Sequence, residues 1–252
     1  MNRSFYFPRA SGLHSLHPLT KLVLVIAILI VGFLARSPNM AVALYLGAIL
    51  PLAVWGRIAR HLLRVTLTII LPFIVSIVLV QGLFYPGASE TIFIFKTQGL
   101  IFAYATASRI LLLAGAGLLL LFSTHPADLM LALEQRGLPR ALSYILLAAI
   151  QLLPQMQTQA TSILNAQSAR GLETTGNLLV RVRALIPLIA PLVFGALAQV
   201  DERAMALEAR AFSAPSSKTS FKALRDTPTQ NLARWVMLLG AVAIGIVEVW
   251  LA

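Results

Sequence analysis

Long, uninterrupted apolar runs dominate the chain, and polar residues gather between them. Four runs lie in the first half, at Leu19 to Ala35, Asn39 to Trp55, Val65 to Phe84 and Gly99 to Phe122, and a fifth closes the sequence from Leu232 to Ala252. Crossing about 30 Å of hydrocarbon as α-helix takes roughly 20 apolar residues, so these runs predict five membrane spans. Two further apolar stretches, Ala141 to Leu153 and Ala184 to Val200, are shorter. Their length suits core or interfacial helices, and Pro154 predicts an abrupt end to the first, while Pro187 and Pro191 interrupt the second. The expected organisation is a four-span region over residues 1–122, a helical insertion over 123–231 and a last span over 232–252.

The basic residues orient this arrangement. If the N-terminus is cytoplasmic, the cytoplasmic segments hold Arg3, Arg9, Lys21, Arg57, Arg60, Arg64 and every basic residue from Arg136 to Arg234. Of the 20 Lys and Arg residues, only Arg36 and Lys96 then face outward, with Arg109 inside the fourth span. Such asymmetry predicts a cytoplasmic N-terminus and an outer C-terminus. A seven-span alternative, in which both shorter stretches cross, carries Arg170, Arg181 and Arg183 to the outer face against the same rule. Lys21, the first run and Ala35-Arg36-Ser37 resemble a secretory signal, but the leading 20 residues are long for its charged region and further spans follow at once, which favours an uncleaved span.

Composition agrees. The chain is 58% hydrophobic and 12% charged, where soluble proteins carry about a quarter charged residues, and its mean hydropathy is +0.84. The net charge of +11 is spread between apolar runs rather than gathered with aromatics, so it points to topology and not to nucleic acid. Without cysteine, disulfides, thiolate metal sites and cysteine nucleophiles are excluded. Neither G-x-x-x-x-G-K-[ST] nor G-x-G-x-x-G occurs, so the chain has no phosphate-cradling loop of its own. His14, His17, His61 and His125 come without H-E-x-x-H or a carboxylate cluster; no metal site or cofactor is expected, and His14 and His17 read as interface residues before Pro18.

The insertion contains a short repeat at a spacing of 40 residues. Ala166-Gln167-Ser168-Ala169-Arg170-Gly171-Leu172 aligns with Ala206-Leu207-Glu208-Ala209-Arg210-Ala211-Phe212, and Gln159 falls on Gln199. Each copy closes a helix-favouring run, Gln155 to Ala169 and Ala196 to Ala209. Glycine after such a run is the usual left-handed cap, and arginine in the last turn complements the helix dipole. Capping alone explains one copy. Two copies on successive helices present two arginine forks near one another, suited to bidentate contact with carboxylates on a partner.

Taken in order, these motifs resemble the transmembrane T components of energy-coupling-factor transporters. That family opens with Leu-His-x-Leu-Asp-Pro-x-x-Lys, matched here by Leu13-His14-Ser15-Leu16-His17-Pro18-Leu19-Thr20-Lys21. An arginine before leucines in the fourth span and a Thr-Pro-Asp-Leu region correspond to Arg109-Ile110-Leu111 and Ser123-Thr124-His125-Pro126-Ala127-Asp128-Leu129. Leu153-Pro154, Ala169-Arg170-Gly171 and Ala206 to Arg210 follow in the family's order, so the likeness covers roughly Leu13 to Phe212.

The resemblance implies an all-α membrane protein of about five spans with cytoplasmic coupling helices between the fourth and fifth. It implies no enzyme activity in this chain. The two helix ends, Ala169-Arg170-Gly171 and Ala209-Arg210-Ala211, would bind a pair of cytoplasmic ATPases, while a membrane S component binds a vitamin or transition metal, in a bacterial or archaeal plasma membrane. Two departures stand out: His17 replaces the family's aspartate, and Ala211 replaces a glycine. A left-handed alanine costs about 1–2 kcal/mol, which predicts that the second helix ends differently or runs on and that Arg210 is less securely placed. Arg109 within a span should face protein or snorkel, with Glu248 one candidate partner and a partner subunit or a backbone carbonyl the stronger ones. The rival class is a secondary transporter with its own midplane site, which calls for ionisable residues or broken helices at the midplane; Arg109 is nearly the only such residue.

Overall fold

The computed structural model describes residues 11–35, 37–86, 91–92, 94–172, 177–212, 214, 224 and 226–250. Arg3, Arg9, Arg36, Lys218, Lys222 and Arg225, and the side chains of Arg181, Arg183 and Glu248, lie outside the described residues. The described chain falls into two compact units, one from residues 11–139 and 224–250 and the other from residues 140–214.

The first unit is a helical membrane bundle. After a single turn α1 (Gly12–Ser15) comes α2 (Pro18–Leu34). α3 (Pro38–Leu44) runs through a π-helical turn at Tyr45–Ile49 into α4 (Leu50–Trp55), and α5 (Ala59–Val65) runs through a second at Thr66–Ile70 into α6 (Leu71–Phe84). Two-residue antiparallel strands, Thr91–Ile92 and Phe95–Lys96, lead to α7 (Thr97–Ser123), followed by α8 (Pro126–Glu134) and, much later in sequence, α11 (Pro228–Trp250). Among the described residues four helical segments are long and apolar enough to cross a membrane, Pro38–Trp55, Ala59–Phe84, Thr97–Ser123 and Pro228–Val247, and α2 is a shorter apolar helix of 17 residues. The protein is therefore an all-α membrane protein, with its spans close to the expected runs.

The third span begins earlier than its apolar run, at Ala59 rather than Val65. Arg60, His61 and Arg64 interrupt the hydropathy, but Ile58 and Leu62 are fully buried in the core, so the helix begins amphipathic and becomes apolar all round. Both π-helical turns sit just before a proline, Pro51 and Pro72. A proline ring meets the carbonyl four residues back, and widening the preceding turn to the i−5 bonds Leu50 N–H to Tyr45 O and Leu71 N–H to Thr66 O lets each helix continue. The two turns are tied by a buried hydrogen bond of 3.3 Å between the Tyr45 and Thr66 hydroxyls.

Lipid is as apolar as leucine, so packing between spans rests on close contact rather than on a solvent-driven effect. α2 lies between α7 and α11, and α6 packs on α7. Gly115 admits the Tyr45 ring, and Gly99 brings α7 against α6 so closely that a Cβ there would stand 2.2 Å from the Gln81 carbonyl oxygen.

The second unit is α9 (Arg140–Ala169) and α10 (Leu178–Ala209). Pro154 does not end the first apolar stretch, contrary to the sequence expectation: the helix continues through it to Ala169, absorbing Ala141 to Leu153 and the polar run after it into 30 residues. α10 likewise carries Pro187 and Pro191 inside 32 residues. A proline removes one backbone hydrogen bond and kinks the axis without necessarily ending a helix whose other bonds persist.

Within α7, Gly99→Ala should lower stability by about 1–3 kcal/mol, the scale of core overpacking, because the backbone oxygen it meets cannot swing aside. Gly117→Ala, with open space around it, should be neutral or slightly stabilising. Thermal unfolding of the two variants in detergent, followed by circular dichroism, separates these outcomes.

Candidate functional site

The repeated sequence at the ends of α9 and α10 folds into one geometry twice. In the first, Leu172 N–H donates to Gln167 O at 3.0 Å and Gly171 N–H to Ser168 O at 3.0 Å. In the second, Phe212 N–H donates to Leu207 O at 2.9 Å and Ala211 N–H to Glu208 O at 2.8 Å. Both are Schellman caps, which close carbonyls that a helix end otherwise leaves open. Gly171 sits at φ +93° and Ala211 at φ +54°, so Ala211 adopts the left-handed conformation despite its Cβ. The expectation that the second helix ends differently is thus corrected. Phe212, the residue after the cap, packs its ring on Tyr144 of α9 at 5.5 Å between centroids, a contact that helps hold the strained alanine in place.

Arg170 and Arg210 occupy the same place in the two caps, and both are exposed. Among the described residues neither side chain has a hydrogen bond or an ion pair. They are not side by side, as the sequence had suggested. Gln199 Nε2 donates to Gln159 Oε1 at 3.2 Å and Arg203 donates to Gln155 Oε1 at 2.8 Å, and a Cβ on Gly195 would meet the Gln159 amide at 2.4 Å. Numbers rise along one helix as they fall along the other, so α9 and α10 cross antiparallel. Ala169 and Ala209 therefore end arms that leave the crossing in opposite directions, each ten residues or about 15 Å long. A cleft of about 600 Å³ beside the crossing is lined by polar side chains, among them Gln155, Gln159, Glu202 and Arg203.

A third copy of this cap escaped the sequence reading. Ala132-Leu133-Glu134-Gln135-Arg136-Gly137-Leu138 closes α8 with Leu138 N–H on Leu133 O and Gly137 N–H on Glu134 O, both at 3.1 Å, and Gly137 at φ +103°. The Ala-Leu-Glu-x-Arg shared with Ala206 to Arg210 is the signal that could have found it. Its arginine has an acidic partner within the chain: Arg136 lies 3.2 Å from Asp226 Oδ2 and 3.4 Å from Asn231 Oδ1. Asp226 also takes a short contact from the buried Arg234, whose Nε donates to Gln230 O at 3.2 Å. The hydrogen bond from Arg234 holds the Asp226 carboxyl below the usual carboxylate range; burial opposes it, and the charges of Arg234 and His17 and a hydrogen bond from Arg136 add to it.

Other sequence-marked residues lie at helix ends or within the bundle. His17 caps α2, its Nδ1 accepting from Leu19 N–H at 3.3 Å, and His125 caps α8 in the same way through Ala127 N–H at 3.2 Å, each followed by proline at the first helical position. Histidine at position 17 thus performs the capping that an aspartate would. Burial lowers the His17 pKa, against the pull of Asp226, and the neutral ring remains an acceptor. Lys21 Nζ donates to Ser123 O at 2.8 Å and His14 O at 3.4 Å, joining the first family-like motif to the C-terminus of α7. Arg109 is half-buried and has no hydrogen bond or ion pair among the described residues. Leu112 packs at Gly32, which sets Arg109 about 5 Å further along, level with the end of α2 and nearer an interface than the middle of its own helix implies.

Comparison with known proteins decides the family. The profile described as CbiQ, cobalt transport protein, matches residues 9–221. The chain belongs to this family. Among curated proteins it is similar to the energy-coupling factor transporter transmembrane protein EcfT of Staphylococcus aureus, 27% identical over 87% of both chains, and to that of Bacillus selenitireducens, 28% identical over 95% of this chain and 94% of the relative. The EcfT of Thermanaerovibrio acidaminovorans is 29% identical over 87% and 86%. Family and helices together make this a multi-pass membrane protein of transport.

Relieving the left-handed alanine should help the second cap. Ala211→Gly is expected to raise stability by about 1 kcal/mol, the left-handed cost less glycine's extra chain entropy, read as a higher denaturation midpoint, with Gly171→Ala lowering it by a similar amount. Asp226 gives a pH test. Its carboxyl is depressed, so its contribution is full above the ordinary carboxylate range and fades as pH falls below it. The gap in thermal midpoint between the parent and Asp226→Asn should therefore be widest at neutral pH and close on acidification.

Proposed function

We propose that the chain is the transmembrane energy-coupling subunit of an energy-coupling-factor importer, passing motion from cytoplasmic ATPases to a separate membrane component that binds a vitamin or transition-metal substrate. The names of its curated relatives support the class. The observation that carries the docking reading is the contrast among three arginine caps: Arg136 engages a carboxylate of its own chain, whereas Arg170 and Arg210 present the same guanidinium fork to solvent at the ends of two arms. An acidic pocket on each of two ATPase chains is the complementary surface. The chain lacks a phosphate-binding loop of its own, so ATP must act through such partners.

Apolar residues on the same two helices, including Ile145, Ile150, Leu153, Ile186, Val193 and Phe194, are exposed in the isolated chain and offer a face to the substrate-binding membrane partner. In this reading the N-terminus and both caps are cytoplasmic, as the basic residues favour. The chain transmits motion and is neither the ATPase nor the substrate site.

Arg170→Glu and Arg210→Glu should each reverse a charge-assisted contact, at a cost of about 2–5 kcal/mol. Because both caps share one geometry, the two losses should be similar. Pull-down of the ATPase chains in detergent and ATP-dependent uptake in vesicles, with membrane expression verified, measure them. An Arg170→Glu protein that keeps its ATPases and transports normally would show that this helix end is only a cap.

A further inference from the structure

The helical unit that bears the two exposed arginines is an insertion: the chain leaves the membrane bundle after Pro139 and returns to it at Leu224. Arg136 stands three residues before the departure and Asp226 two residues after the return, and they meet at 3.2 Å across 90 residues of sequence. Asp226 is shared with Arg234, one turn and a half into the last span, and Asn231 accepts a further contact from Arg136. Arg234 is 6% exposed at its side chain, against 52% for Arg136. The anchor is thus fixed in the bundle and the outer partner is accessible. The same corner is bonded to the start of the first span, because His17 N–H donates to Gln230 Oε1 at 3.1 Å and Arg234 Nε donates to Gln230 O. Among the described residues the charged and titratable groups that act on Asp226 and His17 here are Arg136, Asp226, Arg234 and His17.

We infer that Arg136, Asp226 and Arg234 form a clamp that ties together both chain crossings of the inserted unit, so that movement of that unit is delivered to the spans instead of being lost in its two connections. A unit attached at two points of the chain passes on movement best when those two points are held together. Fastened to one another and to a buried guanidinium, they move as one attachment. These are positioning residues. They touch neither nucleotide nor substrate, and the inference rests on the energy-coupling reading above.

The test uses the full transporter reconstituted in liposomes with its ATPases and substrate-binding partner, measuring ATP hydrolysed and substrate taken up in the same vesicles. Arg136→Gln opens the link between the two crossings and leaves Asp226 on Arg234; Asp226→Asn weakens both contacts. Each complex is expected to assemble and hydrolyse ATP within about twofold of the parent while uptake per ATP falls about tenfold or more, and Arg136→Lys should restore most of it. A thermal midpoint for Arg136→Gln close to the parent's separates a coupling role from a folding one. Unchanged uptake per ATP in both variants overturns the clamp, as does uptake and hydrolysis falling together with loss of assembly. Arg170→Glu, run in parallel, reports on docking alone: if it keeps its ATPases and transports normally, the docking role of that helix end fails, while the clamp is judged on uptake per ATP in its own variants.

Discussion

An α-helix ends with four carbonyls that its own backbone cannot satisfy, and much of this protein is arranged around how those ends are closed. At α8, α9 and α10 the answer is the same reversed turn, with a residue at positive φ and two amides folded back. This turn also fixes the direction in which the preceding arginine projects. At α7 the closure is borrowed instead: the Lys21 ammonium, delivered from another helix, meets the Ser123 carbonyl. Helix starts are handled with equal economy by His17-Pro18 and His125-Pro126, where one imidazole nitrogen accepts an amide hydrogen and the proline needs none. Once the ends are closed internally, a charged group standing at an end is released for other work. Arg170 and Arg210 are in that position, and Arg136 is already employed.

Between the ends, the prolines show how strongly a membrane protein defends its helices. With no water in hydrocarbon to satisfy freed backbone groups, interrupting a span costs more than distorting it. Pro51 and Pro72 are each preceded by a widened turn, and the Tyr45 and Thr66 hydroxyls meet where those widened turns face each other. Polar groups in that setting find their partners between helices, and Gly115 makes the room that the Tyr45 ring requires.

The apolar helices and the two arginine ends can be read from the sequence because each has a local cause: unbroken hydropathy for an apolar helix, and an arginine closing a helix-favouring run for an end. The behaviour of Pro154 cannot, since the penalty for an internal proline is visible locally while the helix on either side that absorbs it is not. Ala211 misleads for a related reason. Its conformational cost is a property of one residue, but the Phe212–Tyr144 contact that helps offset it involves a helix more than 60 residues away in sequence. Arg136 hides because its copy of the motif lies 34 residues before Arg170 rather than 40, off the period of the other two. Its carboxylate lies in a polar segment that no pattern marks.

That period of 40 has a meaning the alignment alone does not convey. Gln159 and Gln199, which touch at the crossing of α9 and α10, are separated by the same interval as Arg170 and Arg210. In two antiparallel helices this equality generates an approximate two-fold axis through the glutamine contact, exchanging one guanidinium for the other. A single asymmetric chain thereby carries two helix ends related by local symmetry, the arrangement that the proposed pair of partners, if related by a dyad of their own, would call for.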